Sequence, residues 1–268
     1  MNFIAHRYPP RWYQIARAPE TTPGAPWCEA KLKSLNPGVE PPATGGDDRD
    51  ISKATLASQL SAYRARSRRD RPEFVKAYDD LVARLSTLDR GEVGPKVGEP
   101  LPSFQLPDEN GRSVSLASLL KTGPAVISFN RGHWCPYCKL ELRALASVND
   151  RIRQLGARVV SIMPDSATLT ADYAKKNDLP FPVLSDIDLG YSLSLGLIFW
   201  VGVEVQRLYQ DVGVDLEKYQ GNAGYFLPMA AKFIVGQDGL VKARQVNLEF
   251  RERMEPEAIV AALQKLRD

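Results

Sequence analysis

Ala125-Val126-Ile127-Ser128-Phe129-Asn130-Arg131-Gly132-His133-Trp134-Cys135-Pro136-Tyr137-Cys138 is the stretch on which the fold turns. Its first five residues are apolar at nearly every position, as in a parallel strand covered on both faces. Pro136, whose ring pre-sets the first helical turn, then opens a helical pattern. A strand therefore hands over to a helix at Cys135, the expected N-cap, and Cys138 falls at the third helical position. Unpaired backbone N–H groups and the helix dipole favour negative charge there. A thiolate is stabilised at such a place, and the thiolate is the reactive form of cysteine. Two intervening residues bring the sulfurs close enough for a disulfide.

Working outward, the helix after the cysteines carries Leu145, Val148, Ile152 and Leu155 on one face, with Gly156 as its C-cap. Arg158-Val159-Val160-Ser161-Ile162 is the next strand, which completes a right-handed βαβ unit. Asp165-Ser166 is expected to cap a further helix ending at Asn177 to Pro180, and Pro182 to Ser185 is a short strand. Lys232 to Val235 and Leu240 to Ala243 flank the turn Gly236-Gln237-Asp238-Gly239 and predict a hairpin. Ser103 to Leu106 and Ser113 to Leu116 flank a second turn at residues 108–111. A last helix places Ile259, Leu263 and Leu266 at i, i+4 and i+7.

Three segments follow from this pattern. Residues 1–50 are a Pro/Gly-rich extension without periodicity, expected to be poorly ordered. Residues 51–96 hold a helical pair. Leu56, Leu60 and Tyr63 line the first helix; Phe74, Tyr78, Leu81 and Leu85 line the second, which Asp70 and Glu73 are expected to start as a capping box. Residues 97–268 form the α/β domain. The expected fold is thus a central mixed sheet flanked by helices, preceded by the helical pair and the extension.

The 268 residues are 44% hydrophobic and 25% charged, ordinary for a globular protein, and the net charge of +3 gives no argument for nucleic acid. No signal-peptide core or run of about 18 apolar residues is found, so neither export nor a membrane span is expected. Three cysteines in the chain are too few for a disulfide scaffold. A lone Cys-x-x-Cys suits a reducing compartment, and the cytoplasm is the expected location.

The pair at 135 and 138 therefore points to redox chemistry, with Cys135 as the expected nucleophile, open to solvent, and Cys138 as the resolving thiol tucked beneath it. Zinc and an iron–sulfur cluster fail on ligand count, since only Cys28, His6 and His133 could join the pair. An inert buried pair is the plain alternative. Arg131 and His133 add positive charge that would lower a thiol pKa, although His133 reads equally well as a surface histidine beside Trp134. Glu141 stands one turn after Cys138, within reach of the site, but reads more simply as a solvated helix-surface glutamate. No nucleotide or flavin fingerprint occurs, and no cofactor is expected.

The βαβ core with Trp134-Cys135-Pro136-Tyr137-Cys138 at its junction resembles the thioredoxin fold. Val97 to Asp108, Phe129 to Leu142 and Phe233 to Gly239 more specifically resemble the alkyl hydroperoxide reductase / thiol-specific antioxidant family, the peroxiredoxin-like proteins. The resemblance covers residues 52–268. It implies reduction of hydrogen peroxide or organic hydroperoxides through a sulfenic acid that a second thiol resolves, with thioredoxin or glutathione as electron donor. It also places Cys138 at the family's peroxidatic position, Cys135 at a threonine position and Glu141 at an acidic one. Arg131 stands where the active-site proline is usual, and the distal arginine position falls at Ala230. The thioredoxin cis-proline has its nearest counterpart in Pro228. Because Cys-Pro-Tyr-Cys is also the glutaredoxin signature, a dithiol–disulfide oxidoreductase is the second reading, and a non-catalytic sensor or interaction module the third. Oligomeric state is left open.

Overall fold

The computed structural model describes residues 54–87 and 93–267. The expected extension, with Cys28 and His6, lies outside the described residues. Five strands form the central sheet: β3 (Ala125–Phe129), β4 (Arg158–Met163), β5 (Val183–Ser185), β8 (Ala231–Val235) and β9 (Val241–Val246). Their order is β5-β4-β3-β8-β9, with β3, β4 and β5 parallel and β8 and β9 antiparallel. The sheet is mixed, as expected. Two small antiparallel pairs stand apart from it, the hairpin of β1 (Gln105–Pro107) with β2 (Ser113–Ser115), and β6 (Ile198–Trp200) with β7 (Phe226–Pro228).

The period of two along each strand sorts the core into layers. Ala125, Ile127 and Phe129 face one side, with Phe233 and Val235 beside them; Val126, Val159 and Ile234 face the other. The second side is covered by α4 (Pro136–Ser147), α5 (Asn149–Gln154), α6 (Ala167–Lys176) and α10 (Pro256–Gln264) through Leu142, Leu145, Ile152, Tyr173, Ile259 and Leu263. The first side is covered by α2 (Pro72–Ser86) and α8 (Val203–Asp211) through Phe74, Leu81, Leu85, Val205, Leu208 and Tyr209. The helical pair, α1 (Leu56–Asp70) and α2, is therefore packed on the α/β body. Burying Phe74, Leu81 and Leu85 stabilises that packing by about 1.5–3 kcal/mol per side chain.

Three local expectations give way to tertiary contacts. The Asp70–Glu73 capping box does not form: Asp70 ends α1, and the N-cap of α2 is Arg71, without a side-chain hydrogen bond. The helix expected across 136–155 breaks at Val148 (φ −107°, ψ 3°) into α4 and α5. Ser166 is the N-cap of α6 without a side-chain bond, while Asp165 turns its carboxylate to the loop before the cysteines, where it accepts from the His133 N–H at 2.7 Å. Among the described residues no helix is long and apolar enough to cross a membrane.

Candidate active site

β3 ends in a polar pin. Asn130 Nδ2 donates to Ser128 Oγ at 3.1 Å and to Ser161 Oγ at 3.0 Å, and the Asn130 N–H donates to Ile162 O at 2.9 Å. These bonds fix the strand end against β4 and set the position of the next eight residues. Gly132 has φ +138°, and a Cβ there would sit 2.5 Å from Trp134 Nε1. Only glycine lets the loop fold beneath that indole. Cys135 is then the N-cap of α4 and Pro136 its first residue, as expected. Cys135 and Cys138 are free thiols in hydrogen-bond contact with each other.

Both sulfurs are buried, so the expectation of a solvent-facing Cys135 is corrected. The cause is the helical pair: Leu56 and Leu60 of α1, with Phe250, join Cys135, Tyr137, Cys138 and Ala230 in one apolar cluster. Cys135 nevertheless borders a cavity. Six aromatic residues line it, Tyr63, Phe74, Tyr78, Trp134, Tyr137 and Tyr209, together with the guanidinium-bearing Arg71, Arg131 and Arg251. Cys138 lies behind, outside the cavity wall.

Arg131 is 1% exposed, and its guanidinium sits among rings. It lies 3.7 Å from the Phe250 centroid, 5.4 Å from Trp134 and 5.5 Å from Tyr78. Nη2 donates to Tyr209 Oη at 2.5 Å, and Nη1 lies 3.9 Å from Cys135 Sγ. The Arg131 backbone N–H points at Cys138 Sγ, 3.3 Å away. One residue thus addresses both sulfurs.

Glu141, expected at the helix surface, is 3% exposed and paired twice. Its Oε1 lies 2.9 Å from Lys232 Nζ on β8, and its Oε2 accepts from Arg253 Nε at 3.0 Å. Arg253 Nη2 in turn lies 3.7 Å from Cys138 Sγ. Glu141 therefore acts at the site as the residue that orients Arg253. The distal-arginine position at Ala230 holds no charge, but Arg253, reached from the loop after β9, brings a guanidinium to the sulfurs. Nothing in its local pattern marks it. Lys232 did carry a signal, because a lysine in an otherwise apolar central strand requires a buried anion.

His133 is not directed at the sulfurs. Its Nδ1 lies 3.2 Å from Asp165 Oδ1, and its ring stands edge-on to Tyr219 with centroids 4.7 Å apart. The charges that act on the thiols are those of Arg131 and Arg253. Burial pushes the Cys135 thiol up, but the hydrogen bond from Cys138, then Arg131 and Arg253, pull it down further, to about 6. Burial pushes the Cys138 thiol well above its ordinary value, and its hydrogen bond to Cys135 and the neighbouring negative charge reinforce the shift. The two thiols are coupled, Cys135 being the more acidic and Cys138 the less acidic of the pair. Among the described residues no cluster of three or more His, Cys, Asp or Glu side chains is placed to hold a metal ion.

Comparison with known proteins gives a consistent outcome. The family model described as the AhpC/TSA family matches residues 97–244. Chloroplastic peroxiredoxin Q of Sedum lineare is 38% identical over 89 residues, 33% of this chain and 47% of that protein. Chloroplastic peroxiredoxin Q of Suaeda salsa is 24% identical over 187 residues, 69% of this chain and 70% of that one. The chain spans less than half the length of the relatives from Sedum lineare and Oryza sativa subsp. japonica, 47% and 41%. Among solved structures, peroxidoxin BcpB from Mycobacterium tuberculosis superposes with TM-score 0.51 at 21% identity, over 65% of this chain and 99% of that one. A mutant of peroxiredoxin 6 from Arenicola marina gives 0.53 at 16% identity, over 65% and 74%. At these identities the superpositions establish the fold. The helical pair and Phe250 to Arg253 lie outside the matched stretch, yet they supply Tyr63, Phe74, Tyr78 and Arg253 to the site.

Proposed function

Since the chain belongs to the AhpC/TSA family, we propose that it is a thiol-dependent peroxidase that reduces hydroperoxides through Cys135 and Cys138. The observation that carries the reading is a buried, ring-held Arg131 beside Cys135, both lining one cavity. The Cys135 thiolate attacks the terminal oxygen of a hydroperoxide, the O–O bond breaks, and the alcohol or water leaves. The resulting sulfenic acid condenses with the Cys138 thiol, releasing water and forming a disulfide. Arg131 N–H and Arg253 support negative charge on Cys138 as it attacks.

Cys135 is the first nucleophile in this proposal because it borders the cavity and Cys138 does not, against the order the family alignment suggests. An external thiol reductant, the dithiol thioredoxin or two molecules of the monothiol glutathione, returns the disulfide to the thiols, and a reducing cytoplasm is part of the same proposal.

Stopped-flow reaction of the reduced protein with a hydroperoxide and with a small disulfide tests the assignment. The expected result is a peroxide rate constant far above that of a free cysteine and above that for the disulfide. Reaction with peroxide at the pace of free cysteine overturns it.

A further inference from the structure

We propose that Tyr209 is a catalytic residue, the proton donor to the oxygen that leaves when Cys135 attacks a hydroperoxide; the proposal rests on the peroxidase reading above. Tyr209 belongs to α8 and is 1% exposed, with its ring edge-on to Trp134 (4.9 Å) and stacked towards Phe74 (6.3 Å). Its hydroxyl oxygen accepts twice, from Arg131 Nη2 at 2.5 Å and from Tyr78 Oη at 3.3 Å. A phenol has one hydrogen and two acceptor positions. With both acceptor positions occupied, its own hydrogen has no protein partner among the described residues, and Tyr209 lines the cavity. The two tyrosine hydroxyls hold two hydrogens, and only one lies between the oxygens, so one is always left to the cavity.

The placement suits the chemistry. One guanidinium holds Cys135 Sγ at Nη1 and Tyr209 Oη at Nη2, so nucleophile and donor flank the same planar edge. A hydroperoxide in the cavity meets the sulfur at its terminal oxygen and Tyr209 at the other. The S–O bond forms as the O–O bond breaks, and the alkoxide takes the Tyr209 proton, giving the sulfenic acid, an alcohol and a tyrosinate. The tyrosinate is held by Arg131 and Tyr78 until solvent entering the cavity returns a proton to it. The Cys138 thiol then condenses with the sulfenic acid, and the disulfide forms as water leaves. The buried arginine thus stabilises charge on sulfur before the reaction and on the phenol after it.

The test uses two oxidants that differ in their need for a proton. Breaking an alkyl hydroperoxide expels a basic alkoxide, whereas peracetic acid expels acetate, a stable anion. Tyr209→Phe keeps the ring packing and removes the donor. Rate constants are normalised to the Cys135 thiolate fraction, measured by alkylation across pH, since Arg131 loses a partner in this variant. The alkyl hydroperoxide rate should fall about a hundredfold and the peracid rate less than about threefold. Tyr78→Phe, which leaves the Tyr209 hydrogen in place, should cost less than about fivefold on either oxidant. Equal losses on both oxidants in Tyr209→Phe overturn the assignment, and so does the selective loss appearing in Tyr78→Phe instead. If the unsubstituted protein reacts with neither oxidant faster than free cysteine, the peroxidase reading falls and this one with it.

Discussion

Arg131 Nη1 stands 3.9 Å from Cys135 Sγ, and among the described residues no carboxylate shares that guanidinium. A buried cation without a counter-ion is costly, because its hydration is lost and nothing replaces it. Phe250, Trp134 and Tyr78 recover part through their ring faces. The remaining demand is met by negative charge on Cys135. Each charge is the reason the other is tolerated in the interior.

Removing the guanidinium should therefore switch the thiolate off. In the native protein, alkylation of Cys135 is expected to fall as pH drops through about 6, because the thiol form dominates below that value. In Arg131→Met the midpoint should move up toward the ordinary thiol value of about 8.5. The peroxide rate near neutral pH should fall about tenfold or more, in step with the lost thiolate. Iodoacetamide alkylation followed by mass, as a function of pH, gives the midpoint directly. An unmoved midpoint would show that the hydrogen bond from Cys138 and the charge of Arg253, not Arg131, set the acidity.

Glu141 carries a different burden. Among the described residues it is the one carboxylate paired with Lys232 and Arg253, and all three side chains are almost fully buried. Glu141→Gln leaves two interior cations without an anion and should cost about 3–5 kcal/mol of stability. The double change Glu141→Leu with Lys232→Met removes one cation with the anion and should recover part of that loss. Denaturant midpoints at neutral pH decide the matter. A single-variant loss under about 1 kcal/mol would mean that the three groups behave like a solvated surface pair.

The strand and the cysteine-capped helix were legible because each is set by neighbours in sequence: an apolar run and a proline at the first helical position. The pairing of β3 with β4 followed from the same local pattern. Of the charges at the site, Arg131 was legible from its place four residues before Cys135; the groups that pair with these charges were not, because they are distant in sequence. Glu141 and Arg253 are 112 residues apart, and Arg131 and Tyr209 are 78 apart. Glu141 follows Lys139 on α4 in a way that suits a wet surface, and only the packing of β8 and the loop after β9 against that face buries it. Tyr209 sits beside Val205 and Leu208 in an ordinary apolar stripe, so its hydroxyl gave no signal. The family resemblance places an arginine at Ala230, whereas the guanidinium near Cys138 is that of Arg253, beyond residues 97–244.

The helical pair sets what can reach the sulfur. Phe74 of α2 and Tyr63 of α1 are cavity walls, so a bulky apolar hydroperoxide buries surface there that hydrogen peroxide cannot. In the native protein cumene hydroperoxide should be preferred over hydrogen peroxide in kcat/KM. Phe74→Ala should reduce that preference about tenfold, the scale of a truncated apolar contact. It should also lower stability by about 3 kcal/mol, since the ring is core as well as wall. Competition assays with the two peroxides report the ratio independently of the amount of folded protein. An unchanged ratio would mean that the substrate enters by another face.

The last relationship concerns the order of the two sulfurs. Cys135 borders the cavity and is held as the thiolate, while Cys138 lies behind it and is the less acidic of the pair. Cys135→Ser should abolish the fast reaction with peroxide altogether. Cys138→Ser should still react once, more slowly because Cys135 loses the thiol that donates to it, and then stop at a sulfenic acid that dimedone traps. Arg253→Met should leave the first oxidation within about threefold and slow disulfide closure about tenfold, since that guanidinium contacts Cys138 rather than Cys135. Intact mass after one equivalent of peroxide distinguishes the sulfenic acid from the disulfide in each variant. If Cys138→Ser is inert and Cys135→Ser forms the sulfenic acid, the deeper sulfur attacks first, and the cavity over Cys135 is not the peroxide's route.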